Sequence, residues 1–556
     1  MKSQKNNITS ILFALCVVVV LNIVGSFIFN RFDLTSDKRY TLSDASKDLI
    51  KNIDAPLAID VFLEGQLPAE FRQLQAETKQ LLEEFSLKND YLNINYINVL
   101  EDEDESQIII KNLRDAQMEP YVNNRQKNAS VTQELIFPWA YARYKNNKVR
   151  IPLLKKSITK TLPEQITNSI QHLEYAFANA FSEIINSKTK SVAILKGNGQ
   201  LSDIYINSFL ETIYPYYNIA KFTLDSVATN PQGTAKDINK YDLIISAKPT
   251  EAFSENEKLV LDQYTMQGGK SIWLTESVIF DKDSLRAVDG SISTARDLKL
   301  NDFFFKYGVR INPSLVKSLY SSPILLAVGN DSQTQLQPLQ WPYSPLASST
   351  ENHPINKNLE LVSFDFASPI DTLKNNIKKT ILLQSAPQSK LEGIPTKISL
   401  DLVTQKPDEE SFNKGSQNLA VLLEGEFTSV YDKRILPFKI DNYKSKSVPT
   451  KMLVISDGDV IKNEVSRNEP QELGFDRYSG RRFGNKEFLL NTINYLLDDT
   501  GLINLRTKHV KVAFLNPEKV EDESAKWQFL NLALPLLILG GFSWIFYYLR
   551  KRKFSN

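Results

Sequence analysis

Two long apolar runs frame the chain, and between them apolar positions recur at the periods of strands and helices. Every residue from Ile11 to Leu21 is apolar, inside a stretch from Ile8 to Phe29 whose only polar interruptions are Thr9, Ser10, Asn22 and Ser26. A second run, Phe529 to Leu549, carries no charge. A helix needs about 20 apolar residues to cross a bilayer core, so transmembrane helices are expected at 8–29 and 529–549. Lys2 and Lys5 precede the first run, and Arg550, Lys551, Arg552 and Lys553 follow the second. On the opposite flank stand Glu518, Glu521, Asp522 and Glu523. Basic flanks stay in the cytoplasm, which predicts cytoplasmic tails at 1–7 and 550–556. The body then lies on the far, periplasmic side of the bacterial inner (cytoplasmic) membrane, joined to the second helix by a linker at 507–528. A cleaved signal peptide is the rival for the first run, but no small-x-small site follows it.

Within the body the periods alternate. Ser43 is placed to cap a helix running to about Asn52, with Asp44 in its first turn. Leu57 to Leu63 reads as a strand, Pro68 to Leu87 carries Phe71, Leu74, Leu81, Leu82 and Phe85 at helical spacing, and Tyr91 to Leu100 alternates as a second strand. That order is a βαβ unit. Leu135–Tyr144 and Val149–Leu154 predict a hairpin around Lys145-Asn146-Asn147-Lys148, and Pro163 opens a helix to about Asn186. These elements make a first α/β domain over 30–187. The pattern restarts with strands at 191–195, 242–246 and 270–274, helices at 203–212 and 255–266, a buried strand at 452–456 and an apolar helix at 485–497. The alternation predicts a doubly wound parallel sheet in a second domain over 188–506. Between 315 and 450 the signal is weaker, with strands expected at 379–384 and 418–424. The fold class is therefore α/β, flanked by two membrane helices.

Composition narrows the chemistry. Sixty-six basic residues against 65 acidic ones, a net charge of +1, exclude the basic excess of a nucleic-acid-binding domain. The only cysteine, Cys16, sits in the first apolar run, so the body has no disulfide, no cysteine metal site and no thiol nucleophile. His172, His353 and His509 are far apart and follow no zinc-binding spacing, and no G-x-S-x-G elbow occurs. Catalytic residues, metal ligands and cofactors are accordingly expected to be absent. Gly269-Lys270-Ser271 matches the end of a P-loop, but Tyr264 stands where its first glycine belongs and Lys270 enters a strand. The acidic run Glu101–Glu105 lacks the alternate spacing and central glycine of a calcium loop; it reads as a solvated helix start. Two places remain as candidate ligand-binding positions. Gly197, Asn198 and Gly199 follow a strand and could cradle an anion. Asp457 and Asp459 end the last buried strand, where doubly wound sheets bind ligands. Beside each stands a plainer alternative, a tight strand–helix turn and a solvated turn.

The motifs, taken in order, resemble the GldG family of auxiliary subunits of the Bacteroidota gliding-motility ABC transporter. They are Arg31-Phe32-Asp33-Leu34-Thr35, Lys38-Arg39-Tyr40-Thr41-Leu42-Ser43, Asp242-Leu243-Ile244-Ile245, Leu261-Asp262-Gln263-Tyr264 before Gly268-Gly269-Lys270, Tyr307-Gly308-Val309-Arg310-Ile311-Asn312-Pro313, and Phe483-Gly484-Asn485-Lys486-Glu487-Phe488-Leu489-Leu490-Asn491. The resemblance implies a glutamine-amidotransferase-like fold for the second domain, whose cysteine nucleophile this body lacks. It also implies a polytopic permease and a cytoplasmic ATPase as partners, and a role in gliding and associated secretion. The alternative is a periplasmic scaffold contacting a motility or envelope component.

Overall fold

The computed structural model describes residues 13–20, 22–23, 33, 41–127, 130–286, 289–328, 335–349, 352–477, 479–508 and 517–554. Residues 13–20 and 22–23 are helical with exposed side chains; the rest of the expected 8–29 span lies outside the described residues. The described residues up to Lys508 form one compact unit.

The first sheet is built as the period-2 segments predict. Strand β1 (Leu57–Val61) lies parallel to β2 (Leu92–Tyr96), pairing Leu57 with Leu92, and helix α2 (Ala69–Ser86) makes the crossover. It is preceded by α1 (Asp44–Lys51), whose first turn is capped by the Ser43 side chain accepting from the Ser46 amide at 3.2 Å. Asp102 similarly caps α3 (Glu103–Asp115), so the acidic run serves the positive end of a helix. The expected long strand from Leu135 is broken at Phe137-Pro138. Proline cannot donate to a ladder, and the chain divides into a hairpin of β3 (Tyr121–Lys127) and β4 (Ser130–Ile136) and a separate pair, β5 (Trp139–Tyr144) and β6 (Asn147–Pro152). Tyr144 pairs with Asn147, so Lys145-Asn146 forms the turn, one residue earlier than the asparagine pair suggests. The sheet order is β2-β1-β5-β6. Helix α4 (Leu162–Ile185), begun by a Thr161/Glu164 capping box, packs on it.

The second sheet carries β7 (Ser191–Lys196), β8 (Asn218–Thr223), β9 (Leu243–Ala247) and β10 (Lys270–Leu274), with helices α5 (Asp203–Ile213), α6 (Pro231–Ile238) and α7 (Glu255–Met266) between them. Strands β11 (Ser314–Ser318), β12 (Ser321–Val328), β13 (Gln335–Ser348), β14 (Lys378–Ser385), β15 (Ser389–Gly393), β16 (Asn418–Gly425) and β17 (Thr450–Ile455) follow, then helix α8 (Asn485–Leu497). Five strands are parallel in the order β8-β7-β9-β10-β17, the flavodoxin-like arrangement with its switch point between β7 and β9. The sheet is not purely parallel, however. Beyond β17 it continues antiparallel through β16, β14, β13 and β12.

Both faces of the parallel half are covered, which is why its strands read as unbroken apolar runs. Val192, Ile194 and Ile272 pack against Phe209 of α5 and Phe488 of α8, whereas Ala193, Leu195 and Trp273 face Leu259 and Val260 of α7. Burying each such side chain contributes about 1.5–3 kcal/mol.

Helix α9 (Pro517–Phe554) starts inside the stretch expected as linker. Its exposed segment Asp522–Arg552 is long and apolar enough to cross a membrane.

Candidate functional site

Four parallel strands deliver polar residues to the carboxyl edge of the sheet. The apolar run of β9 ends and Lys248 follows; β10 is followed by Thr275-Glu276, β17 by Ser456-Asp457-Gly458-Asp459, and β7 by Gly197-Asn198-Gly199. Three of these four edges meet. The buried Lys248 ammonium lies 2.9 Å from Glu276 Oε1 and 2.7 Å from Asp459 Oδ1. Arg296 approaches the other Glu276 oxygen at 3.6 Å, and Lys462 approaches Asp459 at 3.4 Å. Asp457 is fully buried and accepts from the Asp459 amide at 2.7 Å and the Asp365 amide at 2.6 Å. Asp365 in turn pairs with Lys282 at 2.7 Å.

Close backbone approach makes this arrangement possible. Lys248 sits in the left-handed region at φ 54°, which costs a non-glycine residue about 1–3 kcal/mol. A Cβ on Gly458 would fall 2.4 Å from Lys248 Cγ and 2.9 Å from its Cα, so glycine is required there.

Burial and mutual repulsion set the protonation. Burial, then Asp459 and Glu276, hold the Asp457 carboxyl well above its ordinary value. Burial and Asp459 push Glu276 up to about 7, with Lys248 opposing. For Asp459 burial also raises, but Lys248 and Lys462 outweigh it and leave the carboxyl below its ordinary value. Burial works against the Lys248 charge, yet Asp459 and Glu276 keep that ammonium protonated above the usual lysine range. A lysine so held is neither base nor nucleophile. Glu276, Asp457 and Asp459 each offer an oxygen within 4.8 Å of the others, a grouping that could hold a cation, and Lys248 already places its own charge against two of the three.

The glycine turn stands apart, with β9 and β10 between it and the Asp457 edge. Gly197 and Gly199 adopt φ of 108° and 69°, and a Cβ on Gly199 would meet Thr250 Oγ1 at 2.0 Å. The Asn198 carbonyl accepts from the amides of Thr250 and Glu251 at 3.0 and 3.1 Å, stapling the turn to the loop after β9. Its amide, which an anion would need, donates to Gln200 Oε1 at 2.8 Å. Of the histidines, His172 is held well below its ordinary pKa by burial and by Lys155 and Arg506, and His353 is lowered to about 4, mainly by burial. Each packs its ring on a tyrosine, Tyr175 and Tyr495 respectively. His509 lies outside the described residues. Lys248, Glu276 and Arg296 escape the sequence reading; the available signal was that Lys248 and Glu276 are the first charged residues after buried apolar strands.

A second constellation gathers the ends of the body. Glu174 of α4, 6% exposed, accepts from the Ser43 amide at 2.7 Å and the Ser46 hydroxyl at 2.9 Å through Oε1. Its Oε2 takes the Lys508 ammonium at 2.7 Å, and Lys508 also donates to the Thr41 carbonyl at 2.8 Å. Burial raises the Glu174 pKa, but Lys508 and Ser43 prevail and lower it. Nearby, Glu487 of α8 joins Lys155, from the β6–α4 connection, to Arg506, which also donates to the Pro354 and Lys357 carbonyls. Asn494 of α8 donates to the Tyr175 hydroxyl of α4 at 3.4 Å, and Asn179 of α4 donates to the Tyr216 hydroxyl at 2.9 Å. Polar contacts thus tie α4 to the larger sheet.

Comparison with known proteins follows these elements. The profile of a domain of unknown function matches residues 36–143, the first sheet without its last strand and α4. A protein of Borreliella burgdorferi, described as uncharacterized, is 21% identical over 563 aligned residues covering 100% of both chains. Among solved structures, the mmIFT52 N-terminal domain aligns with a TM-score of 0.31 at 11% identity, over 56% of this chain and 98% of that one. A thua-like protein from Parabacteroides merdae aligns at 0.27 and 13%, over 59% and 93%. The profile described as an ABC-type uncharacterized transport system matches residues 189–492, from β7 into α8, more than half of the length; the chain belongs to that family.

Proposed function

We propose that the chain is a non-catalytic auxiliary subunit of an ABC transport complex, working beside a polytopic permease and a cytoplasmic ATPase. Apolar helices at 8–29 and 529–549 hold it in the inner membrane with both termini cytoplasmic and the body outside. The observation that carries this reading, beside the family, is the Glu174 clamp: the two body segments leading to those helices are fixed to one buried carboxylate. A displacement at the membrane reaches α4 through this clamp and through the packing of α1 and the 502–507 turn on it, and α4 passes it to both sheets through packing and the tyrosine–asparagine contacts. The body in this reading responds to ATP-driven motion and presents a surface to a periplasmic motility or envelope component. The motifs that resemble the GldG family support gliding motility and its secretion as the setting, and the flavodoxin-like strand order is compatible with an amidotransferase-like scaffold stripped of its nucleophile.

ATP turnover by the reconstituted permease–ATPase pair in lipid nanodiscs tests the reading. Adding this chain should change the rate at least about twofold, a shift of roughly 0.4 kcal/mol in the barrier. An unchanged rate with the chain demonstrably incorporated overturns it.

A further inference from the structure

Away from the carboxyl edge, an open-sided cavity of about 470 Å³ lies between β13, the separate antiparallel pair of β11 and β15, and the segment around 402–412. That volume lies within the range of small-molecule sites. Three lysines, Lys317, Lys390 and Lys406, line it against one carboxylate, Asp408. Lys317 of β11 and Lys390 of β15 are direct cross-strand partners, and both line the cavity. Like charges directly opposite on neighbouring strands repel. Lys317 is 8% exposed and reaches one carboxylate, Glu392, only at 3.4 Å. Lys390 has no ion-pair partner among the described residues. Ser321, 8% exposed, contributes a buried hydroxyl with no hydrogen-bond partner there, an omission that ordinarily costs about 1–3 kcal/mol. The opposing wall offers Leu402, Val403, Pro407 and Phe412 as an apolar strip beside the polar Gln405, Lys406, Asp408 and Ser411.

We infer that this cavity is a binding site for an organic anion, a phosphate or carboxylate head joined to an apolar body. The head sits between Lys317 and Lys390 and accepts from Ser321, relieving the lysine repulsion and the orphaned hydroxyl together, while the body lies on Phe412 and Leu402. The inference goes beyond the transport reading and needs neither permease nor ATPase.

Calorimetric titration of the full chain in nanodiscs tests it with three probes: 1-naphthyl phosphate, inorganic phosphate for the head alone, and 1-naphthol for the body alone. Saturable binding of naphthyl phosphate is expected, weakening with salt, with each of the other probes at least about tenfold weaker. Lys390→Met, at a half-buried position, should weaken it by about tenfold, the effect of one charge-assisted hydrogen bond; Lys317→Met should do the same where it folds. Equal affinity for 1-naphthol, absence of saturable binding to naphthyl phosphate, or full affinity in Lys390→Met each overturns the proposal. Loss of ATPase coupling with probe binding intact would count against the transport reading and leave this one standing.

Discussion

Replacing Lys248 by methionine keeps most of the apolar stem and removes the charge, leaving buried Glu276 and largely covered Asp459 beside Asp457 without their central cation. Breaking a buried ion pair by deleting one partner costs about 3–5 kcal/mol, and here one ammonium serves two carboxylates at 2.9 and 2.7 Å. With an unfolding entropy of about 2.1 cal/mol/K per residue, residues 189–508 unfolding together carry roughly 0.7 kcal/mol/K. The expected fall in Tm is therefore about 4–7 °C, read from tryptophan fluorescence of the full chain in detergent, to which the buried Trp273 contributes. The loss is pH-dependent with a defined sign. Carboxyls whose folded pKa is raised bind protons more tightly in the folded state, so stability falls as pH rises through the folded value. Glu276 already lies near 7 with Lys248 present; removal of that cation raises it further and lifts Asp459 from below its ordinary value. The deficit should thus be largest at pH 8 and smaller at pH 5, and Asp459→Asn in the Lys248→Met background should recover part of it. A fall below about 1 °C, or one equal at both pH values, would refute the assignment of Lys248 as the keystone of the cluster.

Other expectations follow from the same geometry. Gly458→Ala forces a Cβ against the Lys248 backbone and should cost about 1–3 kcal/mol by overpacking, seen as a lower thermal midpoint at every pH. Glu487 is held at about 2, because Lys155 and Arg506 outweigh the burial that raises it. A depressed carboxyl stabilises above its unfolded pKa and loses that contribution as pH falls through the folded value. Glu487→Gln should therefore destabilise by about 2 kcal/mol at pH 7, discounted for partial exposure, with the gap to wild type closing between about pH 4.5 and 2. Lys508→Met should raise amide hydrogen exchange of residues 41–46 by roughly tenfold, the equivalent of about 1.4 kcal/mol of local opening, without changing exchange in β9 or β10; uniform exchange would remove the clamp.

Most of the α/β frame was legible. The βαβ unit, strands β7, β9 and β10 and helix α8 fall where their apolar periods place them, because two-sided burial leaves continuous apolar runs that turn residues interrupt; the edge strand β8, half exposed, carries no such run. Strand β13 was not legible: Pro338, Pro342 and Pro345 lie within it, a composition that argues against a strand. Strands β14 and β16 of the antiparallel half, expected at 379–384 and 418–424, contain no proline and fall where expected; their antiparallel pairing leaves no local pattern. For the site, Asp457 and Asp459 were accessible from their position after a buried strand. Lys248 and Glu276 stand in the same kind of position, but their meeting with Asp459 and Arg296 depends on which strands are neighbours, and a cross-strand contact leaves no local pattern. Glu174 was hidden more deeply still, its partners Ser43 and Lys508 standing 131 and 334 residues away.

The account turns on the chain operating inside an ABC complex in the membrane. Affinity purification of the full chain from its own membranes in mild detergent, with quantitative mass spectrometry, measures this most directly. An ATPase and a polytopic permease recovered in fixed ratio with the chain are predicted. Recovery of the chain alone, from cells in which it remains functional, would contradict the account.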